Sequence, residues 1–207
     1  MTKFQQMFYN IKTTTDYKVA GKDVDYKIFI DKDKAVLQFE ETDSNTDLLN
    51  NLLFIPFPLV LDCIHHKKIV WTTLGYARAY KSTNNVIIKE YIKAFYNTGL
   101  KRCIRGWSLG SAMAKITERH LSLIGYPVDE LTTFGDVKCW VNPFYKSKAA
   151  DVHEFVTSND AVTYCVPFFF RDKKSKVGPK FKLKELFKTE YYHTHYEDYD
   201  YGSYEND

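Results

Sequence analysis

Gly106-Trp107-Ser108-Leu109-Gly110, continued by Ser111-Ala112-Met113-Ala114, is the stretch on which the reading of this chain turns. It is a G-x-S-x-G between a short apolar strand candidate (Cys103, Ile104) and a helix candidate over residues 111–123. In that context the serine is expected on a strained strand-to-helix turn, and the flanking glycines lack the Cβ that would collide as strand and helix close up. Small residues at 111, 112 and 114 let the helix lie close to a sheet. Its N-terminus aims backbone N–H groups at the place where negative charge would develop. Ser108 is therefore the candidate nucleophile.

The chain around this turn is a soluble globular type: 207 residues, 44% hydrophobic and 27% charged, long enough for a substantial core. A net charge of +3 is too mild to point to nucleic acid. Residues 1–20 are polar and lack the apolar run of about 7–15 residues of a signal peptide, so the expectation is a cytoplasmic protein. The longest apolar run, residues 52–61, is too short to span a bilayer and holds Pro56 and Pro58. Cys63, Cys103, Cys139 and Cys165 are far apart, without metal-ligand spacing. Cys103 and Cys165 sit in apolar segments and read as reduced core residues. Neither a metal nor an organic cofactor is called for.

Residues 26–30 and 35–39 read as strands of an antiparallel hairpin around Asp31-Lys32-Asp33-Lys34. Residues 43–53 place Leu48, Leu49, Leu52 and Leu53 on one helical face, and residues 86–96 have apolar positions at 87, 88, 91, 92 and 95. Residues 131–134 and 152–157 read as further strands. An N-terminal hairpin followed by alternating helices and strands predicts an α/β fold, a mixed, mostly parallel sheet with helices on both faces. One domain is expected over residues 1–190. Residues 171–188 hold eight basic side chains, which would suit contact with an anionic lipid surface or simply a solvated loop. Residues 191–207, rich in tyrosine and acid, read as a C-terminal segment with a flexible end.

A serine hydroxyl needs a histidine to take its proton, and the histidine needs a carboxylate to hold its tautomer. Asp160, in the turn after the strand candidate at 152–157, is the best-placed acid; Asp136 and Asp151 are placed less well. Among histidines downstream of Ser108, His120 lies on the helix leaving the turn and His153 precedes the acid. That leaves His193 and His195, which share one side of an extended segment or occupy different faces of a helix.

These stretches resemble the class 3 lipases, the α/β-hydrolase family that includes the fungal triacylglycerol lipases. Residues 106–112 resemble that family's G-H-S-L-G-G-A, and Phe134-Gly135-Asp136 is similar to its T-F-G-x-P. Asn159-Asp160-Ala161-Val162, with Pro167 after it, is similar to the N-D-x-V-P that carries the acid. Upstream, residues 36–44 and 47–52 resemble V-x-A-F-R-G-T-x-S and D-W-x-x-N-L, and residues 74–80 resemble G-F-x-x-A-Y. The matches keep the family's order over most of the chain.

The resemblance implies an oxyanion hole from Thr42 and the Leu109 N–H, and a lid over residues 45–53 with the apolar run after it, although residues 52–61 read equally well as core. It also favours His195 as the base, because residues 195–199 resemble an H-x-x-x-Y ending; His193 with Tyr196 fits an H-x-x-Y variant. The chain departs from the family at Glu40-Glu41, where the pattern has Arg-Gly, at Trp107, where it has histidine, and at Ser111, where it has glycine. A carboxylate ~6 Å from an oxyanion at an effective dielectric of ~20 opposes it by roughly 3 kcal/mol. The function expected is hydrolysis of a lipid or other acyl ester. The alternative is an inactive hydrolase-like binding or structural protein. Nothing in the residues speaks to oligomeric state.

Overall fold

The computed structural model describes residues 1–21, 24–40, 55–95, 97–141, 146–160, 163, 175–177 and 188–201. The N-terminal hairpin is present: β2 (Val24–Asp31) pairs antiparallel with β3 (Lys34–Phe39), and β1 (Lys18–Ala20) adds an outer strand. From β3 onward the sheet is parallel, through β6 (Lys101–Trp107), β7 (Glu130–Phe134), β8 (Asp151–Thr157) and β9 (Ser175–Val177), in the order β1-β2-β3-β6-β7-β8-β9. This is the mixed, mostly parallel sheet that the sequence predicts. β7 is buried along its whole length, as a parallel strand covered on both faces must be.

Helices cover both faces. On one lie α2 (Leu74–Ser82), α3 (Val86–Phe95) and α4 (Leu109–Leu123), packed with Leu37, Phe39, Ile104 and Leu131 in the larger core. On the other, α1 (Lys3–Thr13) packs Phe4, Met7, Phe8 and Ile11 against Trp107, Phe134 and Phe155. The sequence reading passed over α1 as a polar stretch. Its signal is nonetheless there: apolar residues at 4, 7, 8 and 11, opened by a capping box. Thr2 Oγ1 accepts from the Gln5 N–H at 3.3 Å and Gln5 Oε1 accepts from the Thr2 N–H at 2.8 Å.

At two places the structure adds to the sequence reading. The apolar run after residue 54 forms β4 (Pro56–Asp62), paired antiparallel with the unforeseen β5 (Lys67–Thr73) in a separate two-stranded sheet that buries Leu59, Leu61 and Val70. The division at residue 190 falls inside the fold. α5 (Thr189–Thr194) and the 3₁₀ turn Tyr196–Asp198 pack on the α1 face, and Tyr196 and Tyr201 are fully buried there. Tyrosines that read as a polar tail are core because each buries its ring and satisfies its hydroxyl: Tyr201 donates to the Tyr196 carbonyl at 2.8 Å and Tyr199 to the Tyr192 carbonyl at 3.0 Å. Residues 41–54, with Glu41, Thr42 and the lid candidate, lie outside the described residues, as do Cys165, residues 202–207 and all of 171–188 except 175–177 and 188. Among the described residues no helix is long and apolar enough to cross a membrane.

Candidate active site

β6 ends at Trp107, α4 begins at Leu109, and Ser108 makes the turn alone at φ 55°, ψ −121°. That conformation is costly for a residue with a Cβ, by about 1–3 kcal/mol, and holds only where packing over-determines it. The packing is visible at the two glycines. A Cβ at Gly106 would lie 2.2 Å from the Gly110 carbonyl oxygen, and one at Gly110 would lie 2.6 Å from the Glu40 carbonyl oxygen. The second contact brings the end of β3 against the first turn of α4. Ser111, the departure from the family's glycine, ties the turn to the loop after β7: its Oγ donates to the Ser108 carbonyl at 2.6 Å and accepts from the Val137 N–H at 3.1 Å.

Ser108 Oγ lies 2.8 Å from His193 Nε2, and His193 Nδ1 lies 2.7 Å from Asp160 Oδ2. All three side chains are buried. A carboxylate only accepts, so Asp160 holds the proton on Nδ1 and leaves Nε2 to accept from the serine. Asp160 sits just past β8, its N–H bonded to the Thr157 carbonyl at 3.3 Å. A fourth residue completes the row. The Tyr196 hydroxyl donates to Asp160 Oδ2 at 3.1 Å and accepts from the Thr157 N–H at 3.1 Å. Burial, and then the Asp160 charge, push the Tyr196 phenol well above its ordinary value, which keeps it a donor.

The structure brings His193, and not the favoured His195, between Ser108 and Asp160. His193 lies in the last turn of α5, and His195 lies just past its end, where the chain leaves the helix at φ −127°, ψ 45°. His195 therefore turns away, its ring stacked on Tyr191 at 4.2 Å and its Nδ1 3.0 Å from the Tyr191 carbonyl oxygen. His120 is buried against the Tyr80 hydroxyl at 2.8 Å, and His153 stacks on Phe155. Asp136 is buried in an ion pair with Lys115 at 2.8 Å, and Asp151 is exposed at the start of β8. Leu109 opens α4, where the first N–H groups have no partner within the helix. Among the described residues, no group of three His, Cys, Asp or Glu is arranged to hold a metal ion.

Two features of the site escaped the sequence reading. Trp107 donates its indole N–H to the His193 carbonyl at 3.0 Å, so the residue before the serine holds the backbone of the histidine. Gly135, at φ 52°, leaves room for the imidazole: a Cβ there would come within 2.8 Å of His193 Cε1. The family-like Phe134-Gly135 pattern carried that signal without saying what the glycine faces.

Solved structures to which this chain is similar include several fungal lipases. The chain is similar to Rhizomucor miehei triacylglyceride lipase (15% identity, TM-score 0.59, covering 79% of this chain and 66% of that one). It is also similar to lipase II from Rhizopus niveus (19%, TM-score 0.56, 72% and 58%). A fungal lipase–inhibitor complex, solved as a model for interfacial activation, gives 15% identity and TM-score 0.62 over 79% and 64%. The chain thus has the α/β-hydrolase fold of the fungal triacylglycerol lipases and spans between half and two thirds of the length of these neighbours. No protein-family model matches it, and no curated protein matches it in sequence.

Proposed function

We propose that this chain is a serine hydrolase cleaving the carboxylic ester of a lipid or another acyl ester, with Ser108 as nucleophile, His193 as general base and Asp160 as the acid that orients it. The observation that carries this reading is the buried run of hydrogen bonds from Ser108 Oγ through both ring nitrogens of His193 to Asp160. The neighbours' description as lipases supports the substrate class.

Ser108 Oγ attacks the ester carbonyl carbon and its proton passes to His193 Nε2. The tetrahedral intermediate carries its charge on the former carbonyl oxygen, where the Leu109 N–H and, by family resemblance, Thr42 donate. As the intermediate collapses, Nε2 returns the proton to the departing alcohol and leaves an acyl-serine. Water then attacks the acyl carbon, gives a proton to Nε2, and the carboxylic acid departs as Ser108 regains its hydrogen. Throughout, Asp160 stabilises the imidazolium and Tyr196 holds Asp160 in place.

Glu40-Glu41, in place of Arg-Gly, motivates a second reading in which the site is a catalytically silent binding pocket. A fluorophosphonate probe separates the two. On the first reading the wild type labels rapidly, mass spectrometry maps the adduct to Ser108, and Ser108→Ala does not label. A folded wild type that stays unlabelled, with and without detergent, overturns the hydrolase reading in favour of the second.

A further inference from the structure

The alignment of His193 depends on α5, a helix of six residues. A helix that short has no stability of its own, and its last carbonyl groups need partners from elsewhere. At its C-terminal end two consecutive carbonyls receive protein donors. The His193 carbonyl accepts from Trp107 Nε1 at 3.0 Å, and the Thr194 carbonyl accepts from Lys12 Nζ at 2.8 Å. The same ammonium lies 2.7 Å from Glu197 Oε1, just beyond the helix. Lys12 belongs to the last turn of α1.

α1 reaches the site by a second route as well. Phe8 packs edge-on against Trp107 at 5.3 Å, and Gln5 Nε2 donates to the Tyr199 carbonyl at 3.0 Å. One N-terminal helix therefore touches the residue that precedes the nucleophile and the segment that carries the base. A cation at a helix C-terminus also opposes the negative end of its dipole.

We propose that α1 positions the Ser108–His193 pair through Lys12, whose ammonium caps the helix carrying the base. This rests on the hydrolase reading and adds to it an element outside the Ser108–His193–Asp160 row; Lys12 acts through α5, as a positioning residue. Without its ammonium the Thr194 carbonyl and Glu197 turn to water, and the end of α5 keeps Trp107 on the His193 carbonyl and Tyr199 on the Tyr192 carbonyl but loses its tie to α1. Alignment is the vulnerable quantity, because a misplacement of about 1 Å costs on the order of a hundredfold in rate.

The test compares wild type, Lys12→Met and Lys12→Arg in the full chain. It reads the fluorophosphonate labelling rate at Ser108, kcat and KM on a short-chain nitrophenyl ester, and the thermal midpoint. Lys12→Met is expected to label and turn over roughly tenfold more slowly, with KM unchanged and unfolding still cooperative. Lys12→Arg is expected to restore most of the rate, since a guanidinium reaches both acceptors. If Lys12→Met does not fold, Lys12→Gln, which is uncharged and has a shorter reach than lysine, is read in its place against the same criteria. Variants that label as fast as wild type, or that lose rate only in proportion to folded protein, overturn the positioning role and leave the hydrolase reading standing. A wild type that does not label overturns both.

Discussion

At the scale of single residues, the two histidines give the sharpest expectation. His193→Ala should lower kcat/KM by several orders of magnitude, comparable with Ser108→Ala, while His195→Ala should stay within a few-fold of wild type. Steady-state kinetics on both variants checks this, and the reverse ranking would remove His193 from the site. Gly135→Ala should cost about a hundredfold in kcat with a smaller change in KM, because its methyl meets the imidazole at 2.8 Å and the backbone sits at φ 52°. Tyr196→Phe leaves Asp160 without one donor and the buried Thr157 N–H without an acceptor. A stability loss of about 1–3 kcal/mol in urea is expected, together with a slower Ser108 labelling rate.

At the scale of elements, the candidate site is assembled from the ends of β6 and β8 and from α5, and side chains outside the Ser108–His193–Asp160 row tie the surrounding elements together. α4 shows this most plainly. Its Lys115, buried deep in the fold, lies 2.8 Å from Asp136 and 3.4 Å from Glu154, so it joins the helix after Ser108 to the loop after β7 and to β8. Lys115→Met would leave two carboxylates with their cation removed. The expected cost is about 3–5 kcal/mol, read as a lower urea midpoint with a similar slope. Spacing carried much of this level. The hairpin, α3, the strands at 130–134 and 151–157 and the strand–serine–helix turn were legible because their periodicity is local. α1 was missed because its apolar positions are diluted by polar ones, and β5 because Lys67 and Lys68 mask the alternation of the residues that follow.

At the scale of the whole molecule, stability should depend on acid through a group far from the reaction. Burial holds the His120 imidazole below the ordinary histidine value, with the Tyr80 hydroxyl as its partner. The unfolded chain takes up that proton near pH 6.5 and the folded chain does so only lower. This contribution is therefore complete above about pH 6.5 and is lost as the pH falls below it. His120→Gln should flatten the stability profile below about pH 6.5, measured by urea unfolding at each pH; an unchanged slope would exclude His120 as the cause.

The sequence by itself determined the α/β class, the strand–serine–helix turn and the aspartate in the turn after its strand, because glycine sterics, small-residue packing and strand periodicity act over a few neighbouring positions. Only the tertiary structure placed His193, and not His195, beside Ser108. The choice depends on whether residues 189–194 are extended or helical, and six residues do not settle that alone. Their helix forms where Trp107 and Lys12 meet its last carbonyls and where the tyrosines after it find the face left open by α1. Contacts between residues more than eighty positions apart set that geometry, and no local pattern encodes them.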